Sequence, residues 1–133
     1  DTETATLHFQ QSYDNLQDLN ESSLVPALLN NLAWLKMDKG KDIAGAIGLV
    51  QQALDLLPKS DPQLPFSRET RGQLFLRQEK WREAITDLEF ALPRLSDQVS
   101  AHKGLATAYR ALGQSDMAAE HDRLASGKDP RPE

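Results

Sequence analysis

The residues that could support chemistry in this 133-residue chain are few and scattered. Its three histidines, His8, His102 and His121, include no pair spaced three or four apart and no His-Glu-x-x-His run. Helical metal ligation is therefore not predicted, and we expect the histidines at the surface or on helix flanks. The chain has no cysteine, which excludes disulfides, thiolate metal sites and thiol catalysis.

Carboxylates and serines offer no better catalytic site. Glu79, Glu83, Asp87 and Glu89 are expected on exposed helix faces, where nearby lysine and arginine would offset them. The seven glycines form no phosphate-binding loop, and no serine lies in a Gly-x-Ser-x-Gly turn. The sequence therefore predicts no enzyme, no metal site and no cofactor.

Charge is distributed unevenly along the chain. Residues 1–35 carry five acidic residues and no Lys or Arg, whereas residues 36–133 carry 15 of each sign. The acidic end should repel nucleic acid and anionic membranes, and no apolar run approaches the roughly 20 residues of a membrane span. We expect a soluble chain without nucleic-acid binding or membrane insertion, in the cytoplasm or the periplasm. It opens on Asp1 rather than Met, which fits a processed protein or a piece of a longer one.

Small residues recur along the chain with a regular pattern. Three segments each contain an amphipathic stretch, a short turn and a second stretch with two alanines seven residues apart, which lie on one helix face. Successive pairs begin 38 and then 34 residues apart. The pairs are Ala46 with Ala53, Ala84 with Ala91, and Ala118 with Ala125.

A second small residue, Ala33, Gly72 or Ala106, precedes each alanine pair by twelve or thirteen positions. Two helices per repeat and a period near 34 resemble the tetratricopeptide repeat, over roughly residues 26–126. Pro58 matches the proline that closes a repeat of that family. The wording of the first segment, "NNLAW", is similar to repeats near the C-terminal end of long bacterial tetratricopeptide proteins.

The resemblance implies an all-α fold, a right-handed α-solenoid of antiparallel helix pairs with about seven helices and no strands. Pro58, Pro62 and Pro65 should exclude helix from the first junction, and Pro93 should end its helix early. The expected parts are an N-terminal amphipathic helix and connector (1–25, a degenerate preceding repeat), repeat 1 with the proline-rich junction (26–64), repeat 2 (65–98), repeat 3 (99–126) and a disordered tail (127–133).

The N-terminal amphipathic helix is expected over residues 4–18. Ala5, Phe9, Tyr13 and Leu16 share one apolar stripe, which must pack against the rest of the fold. Residues 20–23 supply helix-capping side chains for the next helix.

In tetratricopeptide arrays the first helices of the repeats line a concave groove. The resemblance thus implies a non-catalytic scaffold that binds an unidentified peptide or partner protein there. On the family pattern, groove residues lie three positions before the small residue and one, four and five after it. These positions are Asn30, Trp34, Met37 and Asp38, then Glu69, Gln73, Leu76 and Arg77, then Lys103, Thr107, Arg110 and Ala111.

Two alternatives stay open at this point. The terminal helices could instead mediate self-assembly as a homo-oligomer, or pack within a larger multi-repeat protein. The register places Leu29 and Leu32 in the core and Ala33 at a close helix contact, which displays Trp34 on the groove side. Alternatively, the N-terminal helix covers the Trp34 indole.

Overall fold

A computed structural model describes residues 3–7, 10–11, 25–38 and 42–127, without the side chains of Met37 and Asp38. Residues 3–7 and 10–11 are helical. A 3₁₀ turn covers Leu92–Arg94. From residue 25 onward the structure has six α-helices, which we number in chain order: α1 (Val25–Asp38), α2 (Ile43–Leu56), α3 (Leu64–Arg77), α4 (Trp81–Ala91), α5 (Val99–Ala111) and α6 (Ser115–Ser126).

The all-α prediction is confirmed, because the described ranges consist of helices joined by turns and irregular segments and contain no β-strand. Helix ends follow local chemistry. The side chain of Asp42 caps α2 by accepting a hydrogen bond from the backbone N–H of Gly45 at 2.9 Å. Helix α4 ends at Ala91, two residues before Pro93, which confirms the predicted early end.

The proline-rich junction differs from expectation in one respect. Helix α3 begins inside it, at Leu64, with Pro65 in its first turn. A first-turn proline has no intrahelical hydrogen bond to lose, and its fixed φ suits a helix start. The prolines therefore exclude helix only from the earlier part, where residues 57–63 form turns.

Consecutive helices pack against one another in chain order. The closest partners are α1 with α2, α3 with α4, and α5 with α6. Helix α3 also contacts both α1 and α5, and we refer to α1, α3 and α5 together as the first-helix layer. Helices α2, α4 and α6 supply the alanine pairs on the other side of each contact.

Most of the small residues are buried between helices. Ala46, Ala53, Ala84 and Ala91 are fully buried, and Ala118 is 1% exposed, whereas Ala125 is only partly buried. A Cβ at Gly72 would lie 2.9 Å from Leu88 Cγ and 3.2 Å from Asp87 Cβ. The sequence register of α3 against α4 is thus fixed by a position that has no room for a side chain.

Several predictions lie outside the described residues. These are the placement of His8, the turn at Gly40, the stripe positions Phe9, Tyr13 and Leu16, the capping residues 20–23 and the tail at 128–133.

Candidate binding surface

Helix α1 presents Trp34 beside a buried stripe. Leu29, Leu32 and Ala33 are fully buried, and Trp34 keeps 40% of its area exposed. This agrees with the predicted register, in which Ala33 and not Trp34 meets the neighbouring helix. Met37 and Asp38, the other implied groove positions of α1, lie in its last turn, but the structure does not describe their side chains.

Asn30 lies one turn before Trp34 on α1 and contributes an unused acceptor. Its side-chain oxygen Oδ1 is buried and has no hydrogen-bond partner among the described residues. A buried amide oxygen without a donor typically costs about 1–3 kcal/mol.

Helix α3 places Glu69 and Gln73 at the contact with the start of α5. The Gln73 amide donates to the backbone oxygen of Ser100 at 3.1 Å. Glu69, one turn earlier, is partly buried, and this burial, followed by repulsion from Asp97, raises the pKa of its carboxyl group. This part of the first-helix layer therefore carries a carboxyl group whose ionisation is disfavoured by its surroundings.

Leu76 and Arg77, at the end of α3, differ in burial. Leu76 is partly buried and packs against the core that α4 and α5 share, and a Cβ at Gly104 would lie 2.9 Å from its Cδ1. Arg77 is exposed. Of these two implied groove residues, only Arg77 leaves its side chain open to solvent.

The implied groove residues of α5 are exposed. Lys103 and Thr107 are one turn apart, and the Thr107 hydroxyl donates to the backbone oxygen of Lys103 at 3.1 Å. Arg110 forms an ion pair with Asp122 of α6, and Ala111, which follows it, is exposed. The α5 end of the layer is therefore cationic, but Arg110 is already paired across to the last helix.

Asp87 is the most deeply buried charged residue of the described chain, which corrects the expectation that it lies on an exposed face. Its side chain is 1% exposed. Arg68 donates from Nε to Oδ1 at 2.5 Å, and Arg71 donates from Nε and Nη2 at 2.8 Å each. The compensating cations thus come from α3 and not from neighbours on α4. The bidentate contact with Asp87 raises the pKa of Arg71.

Phe90 packs against one of these arginines, Arg68, and against Arg94. The guanidinium carbon of Arg68 and that of Arg94 each lie 4.2 Å from the centre of its ring. Arg71 also donates from Nη1 to the side-chain oxygen of Gln51 on α2 at 2.7 Å. One ionic cluster therefore links α2, α3 and α4.

His102 and His121 are buried and touch, which corrects the expectation that they lie at the surface. They are 7% and 8% exposed, and their Nδ1 atoms are 2.9 Å apart. Burial, with a smaller contribution from the charge of His121, lowers the pKa of His102, and Glu120 opposes that shift. Spacing within one helix missed this pair because its members lie 19 positions apart on α5 and α6.

Tyr109 extends this cluster. Its ring stacks on His121 with 5.7 Å between ring centres and 2° between planes, and its hydroxyl donates to the Glu89 carboxylate at 2.6 Å. Burial and that hydrogen bond raise the pKa of Tyr109 to about 12. Glu89 itself is exposed, as expected, but it is tied to α5.

The ionic and imidazole contacts occupy equivalent positions. Arg68 and His102 each lie four residues before the small residue of their helix, and Asp87 and His121 each lie three after the first alanine of their pair. Both contacts span 19 positions. This was readable from the sequence, because Asp87 and His121 fall on the alanine-bearing face, where a polar residue needs a partner.

The described side chains provide no assembled metal centre. Among them, no group of three or more His, Asp or Glu is arranged to hold a metal ion. Within the same ranges, no helix has the length and apolar character required to cross a bilayer. No protein-family model matches the chain, and no curated protein sequence matches it significantly.

Proposed function

We propose that this chain is a non-catalytic interaction scaffold that binds a peptide or partner protein along the first-helix layer. Trp34 carries the proposal, because this large aromatic side chain is 40% exposed on α1, beside the fully buried Leu32 and Ala33. Aromatic side chains supply much of the binding free energy in protein interfaces.

In this proposal the helices form a tetratricopeptide-like right-handed solenoid of antiparallel pairs, and the first-helix layer lines its concave side. Two observations support it: the helices contact one another in chain order, and two successive helix pairs are joined by contacts of the same 19-residue span. In repeat architectures each unit buries its apolar face only against its neighbours.

The charges along the layer favour a ligand of mixed character. Glu69 presents a partly buried carboxyl group, whereas Arg77 and Lys103 present exposed cations. An extended or helical segment with an apolar residue for Trp34 and charged residues of both signs would match these groups.

Peptide selection tests the proposal. Peptides are selected from a displayed random library on the immobilised chain and then titrated in solution by tryptophan fluorescence. The Trp81→Phe variant is the reporter, because it leaves Trp34 as the single tryptophan. We expect saturable changes in Trp34 emission, and at least tenfold weaker binding to a Trp34→Ala, Arg77→Ala double variant.

The matched control is an Arg82→Ala variant, since Arg82 is exposed on α4, outside the first-helix layer. Its affinity should equal that of the parent chain. If the selected peptides bind the Trp34 and Arg77 double variant as tightly as the parent, binding along the first-helix layer is wrong.

A second candidate function is self-assembly, or packing within a larger protein, through the terminal helix. Met117 and Leu124 lie seven residues apart on α6 and are 41% and 39% exposed. Light scattering over a range of concentrations distinguishes this function. A Met117→Ser, Leu124→Ser variant should lower the measured mass if α6 mediates association, and a concentration-independent monomer would exclude self-association.

A further inference from the structure

The contact between His102 and His121 has an unusual composition for the position it occupies. The equivalent position between α3 and α4 holds the Arg68–Asp87 ion pair, and between α1 and α2 it holds Leu29, with Leu49 packed against the same cluster. Only the α5–α6 contact therefore consists of two groups that can carry the same charge. Histidine is the side chain whose ordinary pKa allows that charge to change between pH 5 and 8.

Few residues of α6 are buried, and His121 is one of them. Ala118 and His121 are the only residues of α6 that are buried. The other polar link described between the helices, Arg110 with Asp122, joins two side chains that are both more than half exposed. Exposed ion pairs contribute little to stability, so the buried part of the α6 contact consists of Ala118 and the imidazole of His121.

Hydrogen-bond chemistry sets how many protons the contact tolerates. With both rings neutral, one Nδ1–H donates to the other Nδ1 across 2.9 Å. One added proton can enter at an Nε2 atom and leave that hydrogen bond intact. A second proton forces both Nδ1 atoms to be donors, so two N–H groups and two positive charges would face each other in a buried site.

We propose that the His102–His121 contact is a pH-sensitive latch that holds α6 on α5 at neutral pH and releases α6 in mild acid. The proposal stands independently of the binding function of the first-helix layer.

The groups around the two histidines determine the direction in which pH changes the stability of the latch. Glu120 is exposed and bound to Arg123, so it screens added positive charge only weakly. From the α5 and α4 side, Tyr109 stacks on His121 with its proton committed to Glu89. Because the pKa of His102 is lowered in the closed state, the open state binds protons more readily, and the latch weakens as pH falls below about 6.5.

Amide hydrogen exchange on the whole chain tests the latch. Protection factors, corrected for the intrinsic effect of pH, are compared between pH 7.5 and 5.5 for α6 and for α3 and α4. We expect protection in α6 to fall about 10- to 100-fold, because each coupled proton contributes up to tenfold per pH unit, while α3 and α4 change less.

The chain offers a matched control. The double variant His102→Arg, His121→Asp places the Arg68–Asp87 chemistry at the equivalent position of α5 and α6. Its α6 protection should show no fall over this pH range, whereas a His8→Gln variant should behave as the parent. Loss of protection that persists in the Arg–Asp variant, or that occurs equally in α3 and α4, would overturn the proposal.

Direct titration of the parent chain keeps the proposal testable even if the double variant fails to fold. The imidazole proton resonances of His102 should titrate below the ordinary value of 6.5, and line broadening in α6 amides should begin over the same pH range. If His102 titrates without any change in α6, the contact is a structural one and not a latch.

Discussion

The Nε atom of Arg68 lies 2.5 Å from Oδ1 of Asp87, which joins α3 to α4 across 19 positions of sequence. Asp87 is 1% exposed, so its charge is neutralised inside the protein and not by solvent. Removing the carboxylate would leave the guanidinium groups of Arg68 and Arg71 facing each other without a counter-charge.

We therefore expect the Asp87→Ala variant to lose about 3 kcal/mol of unfolding free energy, since breaking a buried ion pair from one side strands the other. Urea denaturation followed by circular dichroism measures the loss. Glu83→Ala is the control on the same helix, because Glu83 is exposed, and its cost should stay within about 0.5 kcal/mol. Equal costs for both variants would show that the Asp87 cluster does not stabilise the fold.

Two glycines in helices should respond to alanine in opposite directions. A Cβ at Gly48 meets nothing within 4 Å, so Gly48→Ala should gain roughly 0.5–1 kcal/mol from helix propensity. A Cβ at Gly72 would lie 2.9 Å from Leu88 Cγ, so Gly72→Ala should destabilise the fold. Thermal melts of both variants decide the matter, and stabilisation by Gly72→Ala would place α3 and α4 further apart than described.

The buried alanines should tolerate no larger side chain. Ala84→Leu and Ala91→Leu each add volume to a fully buried position, and we expect a loss of roughly 1–3 kcal/mol for each. Ala119→Leu is the matched control, because Ala119 is exposed on α6. Melts of the two buried variants that coincide with the parent would disprove the assigned helix contact.

The state of the Tyr109 hydroxyl predicts alkaline behaviour. Its pKa of about 12 in the folded chain exceeds the ordinary 10.0, so the neutral form is favoured by folding. This contribution to stability is fully present below pH 10 and is lost as pH rises toward 12. Spectrophotometric titration should show a tyrosinate transition near 12 that Tyr109→Phe removes. A transition near 10 that Tyr109→Phe removes would mean that Tyr109 is not held by Glu89.

Exposure of Trp34 can be measured without any partner. In the Trp81→Phe variant all tryptophan emission comes from Trp34, which is 40% exposed. We expect emission at long wavelength and efficient quenching by acrylamide. Blue-shifted emission that resists quenching would mean that another part of the chain covers the indole.

Periodicity in the sequence identified the helical class and the close contacts. Ala46, Ala84 and Gly72 lie at helix contacts because only small residues fit there. Residue size can be read from the sequence, so these contacts could be predicted. Leu29, Leu32 and Trp34 likewise divide between core and surface as their register requires.

Polar residues on the buried faces were misjudged for a physical reason. Asp87 and His121 are hydrophilic, and single-helix spacing places hydrophilic residues outside. Their burial depends on partners contributed by another helix, Arg68 and His102, and a search for ligands three or four residues apart does not detect such pairs. Their position on the alanine-bearing face is the signal that would have found them.

The contacts within the three helix pairs are chemically different, and this difference disfavours pairing of the wrong helices during folding. Helix pairs that resemble one another could exchange partners during folding, for example if α3 packed against α6 instead of α4. That exchange would bury Arg68 against His121, which offers it no negative charge, and would leave Asp87 without its counter-ions. The apolar pair, the ion pair and the imidazole pair thus make each helix specific for its own partner.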